Sequence, residues 1–290
     1  MTGRPLTYRD AGVDIERKYR ATRAALGAIR QTFTPNVLSD IGLFGGLFRV
    51  DPAWKEPVLV ATTDGVGTKL KVALLAGRHD TVGIDLVNHC VNDALVQGAR
   101  PLFFLDYIGM GKVDEEVIRS LLEGCAAACR ANGCALIGGE TAELPETYPA
   151  GEYDLVGFLV GVVERARIVD GSGIKTGDRL LGVPSSGLHT NGYSLARKIV
   201  FERLALSVSS RVDRLGTTVG EALLRPHLSY LPAVGPLLDA QVAIRGMAHI
   251  TGGGLLDNVP RILPKGLRAR VTKGSWPIPE LFAWLVSAGE

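Results

Sequence analysis

Apolar runs in this chain break off repeatedly at glycine clusters: "VLVATTDGVGTK" (58–69), "CALIGGET" (134–141), "PSSGLHTNG" (184–192) and "HITGGG" (249–254). Glycine supplies 36 of 290 residues, roughly twice its usual share of about 7%. The clusters have no period, which excludes a collagen-like chain, and they sit between apolar runs, which excludes a flexible linker. Such a pattern predicts strands and helices joined by tight turns, with backbone left open at the turns for a ligand to approach.

The rest of the composition narrows the class. Hydrophobic residues make up 46% and charged residues 21%, enough for a sizeable packed core. A net charge of +2 gives no nucleic-acid footprint. No apolar run reaches the ~18 residues of a spanning helix. The opening "MTGRPLTYRDAG" lacks the apolar centre of a signal peptide. A cytoplasmic protein with no membrane partner is expected. Cys90, Cys125, Cys129 and Cys134 match no common zinc spacing and read as small core residues.

Helical and strand patterns alternate, so the fold class is α/β or α+β. A helix is expected over "DIERKYRATRAALGAIRQTF", and a hairpin or short strand over "DIGLFGGLFRV". Strands follow at Pro57–Thr63, Pro101–Ile108, "CALIGGET" and "YDLVGFLVGVVE", with helices at Asp85–Gly98 and Asp114–Asn132. Asp114 can cap the second of these and Gly133 can end it. Composition turns to Gly, Asp, Lys and Thr near Ile168–Gly177, so we expect one domain over 1–168 and a second over 169–290. The second is expected to begin with a strand, "RLLGVPSS", and to close with a helix carrying Leu281, Trp284 and Leu285 on one face.

No window fits Gly-x4-Gly-Lys-Ser/Thr or Gly-x-Gly-x-x-Gly, so the common nucleotide signatures are missing. "TTDGVGTK" offers another route. Asp64 at a strand end can hold Mg²⁺, Gly65 and Gly67 admit a phosphate to the backbone, and Thr68 and Lys69 add a hydroxyl and a cation. The bland alternative is a simple Asp-Gly turn. In the next helix Asp85, His89, Asn92 and Asp93 fall on one stripe. Asp and Asn are poor mid-helix choices, so the stripe reads as a ligand wall. Asp64, Asp93 and Glu140 would give three hard oxygen donors, suited to Mg²⁺ rather than zinc. Glu143 could instead cap its own segment. In the second half, the loops at 185–191 and 251–254 supply hydroxyls, amides and helix starts for an anion. Each loop brings a histidine, His189 and His249, able to take part in acid–base chemistry. His79 and His227 have no such setting and read as surface or structural.

Taken in order, "YRDAGVDI", "TTDGVGTKL", "GIDLVNHCVNDALVQGARPLFFLDY", "GCALIGGETAELP", "VVERARIVDG", "SSGLHTNGYSL" and "HITGGGLLDNVPRILP" resemble the phosphoribosylformylglycinamidine cyclo-ligases, the aminoimidazole ribonucleotide synthetases of purine biosynthesis. The resemblance runs from Tyr8 to Glu290. It implies an ATP-dependent ring closure of formylglycinamidine ribonucleotide through a phosphorylated amide oxygen, an imino-phosphate. It also implies a homodimer in which the N-terminal domain contributes strands to an intersubunit barrel, with a C-terminal sheet-and-helix domain facing the cleft. On that reading Asp64, Asp93 and Glu140 hold Mg²⁺. Gly65, Gly67, Thr68, Lys69, Gly138, Gly139 and Thr141 join them at ATP. Ser185, Ser186, Gly187, Asn191, Thr251, Gly252, Gly253 and Gly254 meet the substrate. His189, His249 and Lys69 are the catalytic candidates, and His89 is not carried over.

Family members continue for some fifty residues past the position of Glu290. The expectation is a C-terminal sheet short of strands, a partly uncovered Trp284 helix, reduced stability and little or no cyclo-ligase activity. Thiamine-monophosphate kinases and selenophosphate synthetases resemble the chain only in the metal and glycine motifs. A non-catalytic nucleotide-binding dimer is the alternative from another class.

Overall fold

The computed structural model describes residues 15–290. Most of the "YRDAGVDI" motif therefore lies outside the described residues. The first helix, α1 (Ile15–Arg30), lies inside the predicted stretch. The "DIGLFGGLFRV" segment forms no strand; a single bridge joins Val37 and Phe48, and Phe44 is fully exposed.

Four strands make one sheet: β1 (Pro57–Gly65), β2 (Arg100–Met110), β3 (Ala135–Glu143) and β4 (Tyr153–Glu164). Their order is β1-β4-β2-β3. β4 runs antiparallel to both neighbours, and β2 and β3 are parallel. The parallel pair is joined by α4 (Glu115–Ala131), whose Asp114 side chain accepts hydrogen bonds from the Glu116 and Val117 amides. That is the predicted N-cap, and its apolar stripe buries Leu121, Leu122, Cys125 and Ala128.

One face of the sheet is covered by α3 (Asp80–Leu95) and α4. The two helices approach so closely that a Cβ on Gly83 would lie 2.3 Å from the Leu121 carbonyl oxygen, and one on Gly124 would lie 2.1 Å from that of Asp80. α3 begins five residues before the predicted start, because Asp80–Ile84 pack into this crossing. Ala21, Ala25 and Ile29 of α1 join the same core. All four cysteines are buried and unpaired within it. The opposite face of the sheet stays open: Leu59 is 58% and Phe158 39% exposed.

The second half has little sheet. The segment expected as a strand, "RLLGVPSS", has no ladder partner, and Leu181 within it is 92% exposed. A strand cannot persist without a neighbour to take its amides and carbonyls. Among the described residues of this half the only ladder joins β5 (Arg211–Val212) to β6 (Thr217–Thr218). Short helices carry the rest: α5 (Tyr193–Arg197), α6 (Val219–Leu223), α7 (Leu231–Asp239), α8 (Gly254–Asn258) and α9 (Glu280–Gly289). α9 corrects a further expectation. Trp284 is only 8% exposed, and with Leu281 and Leu285 it packs into the core rather than standing uncovered. No helix among the described residues is long and apolar enough to cross a membrane.

Candidate active site

The polar stripe of α3 is the hinge of the site, but it mostly binds the chain's own backbone. Asp85 Oδ1 accepts from the His227 amide at 2.6 Å, Asn88 Nδ2 donates to the His227 carbonyl at 2.7 Å, and Asn92 Nδ2 donates to the Leu228 carbonyl at 2.8 Å. Asn92 Oδ1 also takes the Tyr230 amide at 2.9 Å. Short amide and carboxylate side chains thus do for residues 227–230 what a neighbouring strand would do. Of the stripe, Asp93 is the member that lines the open cleft.

Lys69 departs from expectation. It opens α2 (Lys69–Ala76) and turns inward, where Nζ lies 2.6 Å from Asp85 Oδ2 and donates to the Arg225 carbonyl at 2.8 Å. Both side chains are fully buried. Burial pushes the Lys69 ammonium down and the Asp85 carboxyl up, to about 6, and the contact between them opposes both shifts. The Arg225 carbonyl on Lys69 and the His227 amide on Asp85 tie this pair to the second half, and Lys69 does not line the cleft.

Glu140 does not join Asp64 and Asp93. It sits on β3, three strand positions from β1, which is roughly 14 Å at the usual strand spacing. Gly138, Gly139 and Thr141 share that strand. Glu143 accepts the Val113 amide at 2.8 Å, thirty residues away, so the contact is to the turn before α4 and not within its own segment.

The structure does assemble a cluster that sequence reasoning missed. Four of the five histidines, His89, His189, His227 and His249, meet between the halves. His227, read from sequence as surface or structural, is buried at its centre. Its ring stacks on His189 with centroids 3.9 Å apart and lies 5.3 Å from that of His249. The remaining histidine, His79, contacts the Tyr153 hydroxyl outside the cluster.

Each ring has a distinct setting. His89 Nε2 is 2.8 Å from Asp64 Oδ2, and its Nδ1 is 2.8 Å from the Thr190 hydroxyl. His249 Nδ1 is 2.8 Å from Asp93 Oδ1, and its Nε2 is 3.3 Å from His227 Nε2. His189 has left-handed backbone (φ 57°), and its Nε2 accepts the Ser186 amide at 3.1 Å. Burial, then the charges of Lys69, His249 and His89, push His189 down to about 4. The lone pair at Nε2 is thus occupied by a backbone amide. Burial and the neighbouring rings push His227 down much further. At Asp64, burial raises the pKa, but His89, the Gly65 amide and the charge of His249 outweigh it and the net shift is downward.

A cleft of about 560 Å³ opens beside this cluster, lined by β1 from Leu59 to Asp64, by Asp93, and by His249, Thr251, Asn258 and Arg261. Of the second glycine loop, Thr251 lines it. Asn258 Nδ2 donates to the carbonyls of Thr251, Gly252 and Gly254, fixing the second loop, in which Gly253 takes φ 87°. Asn191 Oδ1 lies near Gly252, so the two loops touch. In the first loop the Ser185 hydroxyl donates to the Gly187 carbonyl and that of Ser186 to the Pro226 carbonyl. The Thr68 hydroxyl is 3.1 Å from that of Ser194, and Gly67 (φ 70°) lies against Thr190. Thus Asp64, Asp93, His249 and Thr251 share the cleft wall, with Asn191 of the first loop beside the second, while Lys69 and Glu140 do not line it. Arg261, a cation on the cleft wall, gave no sequence signal beyond its place after the "TGGGLLDN" loop.

Comparison with known proteins identifies the family. The family model described as AIR synthase related protein, N-terminal domain, matches residues 47–163, and its C-terminal counterpart matches residues 175–288. The phosphoribosylformylglycinamidine cyclo-ligase of Syntrophotalea carbinolica is 55% identical over 286 residues, covering 98% of this chain and 81% of that protein. That of Geobacter sulfurreducens is 54% identical over 290 residues, covering 100% and 83%. Among solved structures, a thiamine-monophosphate kinase from Stenotrophomonas maltophilia shares the fold with a TM-score of 0.53 at 21% identity, covering 82% of this chain and 70% of that one. The chain belongs to the AIR synthase related family, through both its N-terminal and its C-terminal domain.

Proposed function

We propose that the chain is an ATP-dependent cyclo-ligase that closes the imidazole ring of aminoimidazole ribonucleotide from formylglycinamidine ribonucleotide, in purine biosynthesis in the cytoplasm. The observation that carries this reading is the meeting of Asp64, Asp93, His249 and Thr251 on one cleft, in a chain 55% identical to a curated cyclo-ligase. The chemistry supplied by bound ATP is phosphoryl transfer to an amide oxygen, which makes that oxygen able to leave.

The chain's own groups fit a Mg²⁺-nucleotide in part. Asp64 and Asp93 present two hard carboxylates to the cleft, a number that suits an ion keeping several waters. Gly65, Gly67 and Thr68 offer backbone and hydroxyl contacts at the same strand end. Arg261 replaces Lys69 as the cation near the phosphates. Ser185, Ser186, Gly187 and Asn191 on one loop and Thr251–Gly254 on the other hold the ribonucleotide. His249 is held at Nδ1 by Asp93 and can keep or move a proton beside the reacting amide. Such positioning and charge neutralisation supply most of the rate enhancement in a reaction of this type. A homodimer fits the open sheet face, where Leu59 and Phe158 stand exposed.

The test is phosphate release from ATP with and without the amidine substrate. We expect substrate-dependent release, cut on the order of 100-fold or more by Asp64→Asn with thermal stability little changed. Release that ignores the substrate, or survives Asp64→Asn, refutes the reading.

A further inference from the structure

The histidine cluster has a property that magnesium chemistry does not use. His89, Asp93 and His249 each offer a ligand atom, and the three atoms lie within 4.8 Å of one another. In a tetrahedral site with bonds of ~2.1 Å, ligand atoms sit about 3.4 Å apart, so a small contraction of these side chains would close the shell. His89 is only 4% exposed, and its Nε2 has no aligned hydrogen-bond partner despite the nearby Asp64 oxygen. A buried imidazole nitrogen close to a carboxylate but poorly aligned with it can offer its lone pair to a cation when the ring is neutral.

The surroundings favour a cation. Asp64 stands beside His89 as a further carboxylate. The Thr190 hydroxyl contacts His89 Nδ1 and fixes the ring orientation, as outer partners do around ligating histidines. Asp93 and His249 line the open cleft, which gives an ion its path in. Two imidazoles with a carboxylate select borderline transition metals over magnesium or calcium, which prefer all-oxygen shells.

We propose that His89, Asp93 and His249 form a binding site for a borderline divalent transition metal of the zinc class. An ion held there places its charge on the cleft wall next to Asp64. That it would then compete with a magnesium-nucleotide rests on the preceding functional reading; the binding itself does not.

The experiment titrates the unmodified chain with Co²⁺, free of nucleotide and substrate, and follows its visible absorption, then displaces it with Zn²⁺. The expected result is saturation at one equivalent, with bands of a nitrogen–oxygen site and no thiolate charge transfer. His249→Ala and His89→Ala should each weaken binding at least tenfold, with circular dichroism unchanged, while His79→Ala leaves it as it was. Absence of saturable bands in the unmodified chain overturns the proposal. So do thiolate bands, which would put the ion on the buried cysteines, or binding that survives replacement of both histidines. None of these readouts depends on turnover, so failure of the cyclo-ligase reading and failure of this site are separable.

Discussion

Residues 57–164 and residues 179–290 bury their backbones by different means. The first region has a four-stranded sheet with two helices laid on one face, and its amides are satisfied by ladders and helical turns. The second has a two-residue ladder and short helices, and leaves Leu180, Leu181, Val183 and Leu256 exposed. Its order between 225 and 230 is borrowed from α3, through Asp85, Asn88 and Asn92. A stretch of loop can therefore be as well specified as a strand, provided that a rigid helix lends it donors and acceptors. The cost is dependence. The second region's site loops keep their places only while α3 stays docked to them, and the histidine cluster forms along that seam.

The sharpest way to break the comparison is to cut the buried tie. Lys69→Met leaves the Asp85 carboxylate without its cation at a fully buried position. We expect a loss of about 3–5 kcal/mol in urea unfolding, since removal of one partner strands the other charge. A loss near zero would mean that the buried pair, with the Arg225 and His227 contacts it holds, does not join the regions. A smaller effect is expected from Asn92→Leu, which removes two backbone contacts at Leu228 and Tyr230. About 2–3 kcal/mol should go, and hydrogen exchange should quicken at 227–231 while α3 and α4 keep their protection. Equal loss of protection in both regions would show one cooperative unit instead of a frame and a dependent.

The smallest effect concerns the frame itself. Asp106, on β2, is buried against the helices, and burial raises its carboxyl to about 7, with Glu140's charge adding to the rise. The unfolded carboxyl titrates near 3.9, so between roughly pH 4 and 7 the folded chain holds a proton that the unfolded chain has released. Stability from this group is therefore present at low pH and falls as pH rises through that window. Asp106→Asn should remove the fall, so that the variant gains stability on the unmodified chain as pH rises from about 5 to about 8. Parallel pH–stability curves for the two proteins would rule this out.

Much of the frame was legible because its signals are local. The apolar runs at β1, β2, β3 and β4, the Asp114 cap and the apolar stripe of α4 can each be read within one window. "RLLGVPSS" has the same local look, yet forms no strand, because a strand is completed by a neighbour that the window does not contain. At the site, Asp64 and Asp93 were legible as carboxylates at the end of a strand and on a polar helical stripe. The Asn and Asp residues of that stripe were a correct sign of something unusual, but one residue type serves a ligand and a backbone segment equally well.

By itself, then, the sequence determined the alternation of strands and helices in the first region, the glycine turns, and the family to which they point. Those depend on periodicity and on turn chemistry, which act over a few residues. Tertiary structure alone decided that Lys69 faces Asp85 and not the cleft, that Glu140 lies across the sheet from Asp64, and that His89, His189, His227 and His249 become neighbours. Those outcomes turn on the rotational phase of α2, the strand order and the docking of residues 225–230 on α3, and no local pattern encodes a relation between segments that meet only in the folded chain.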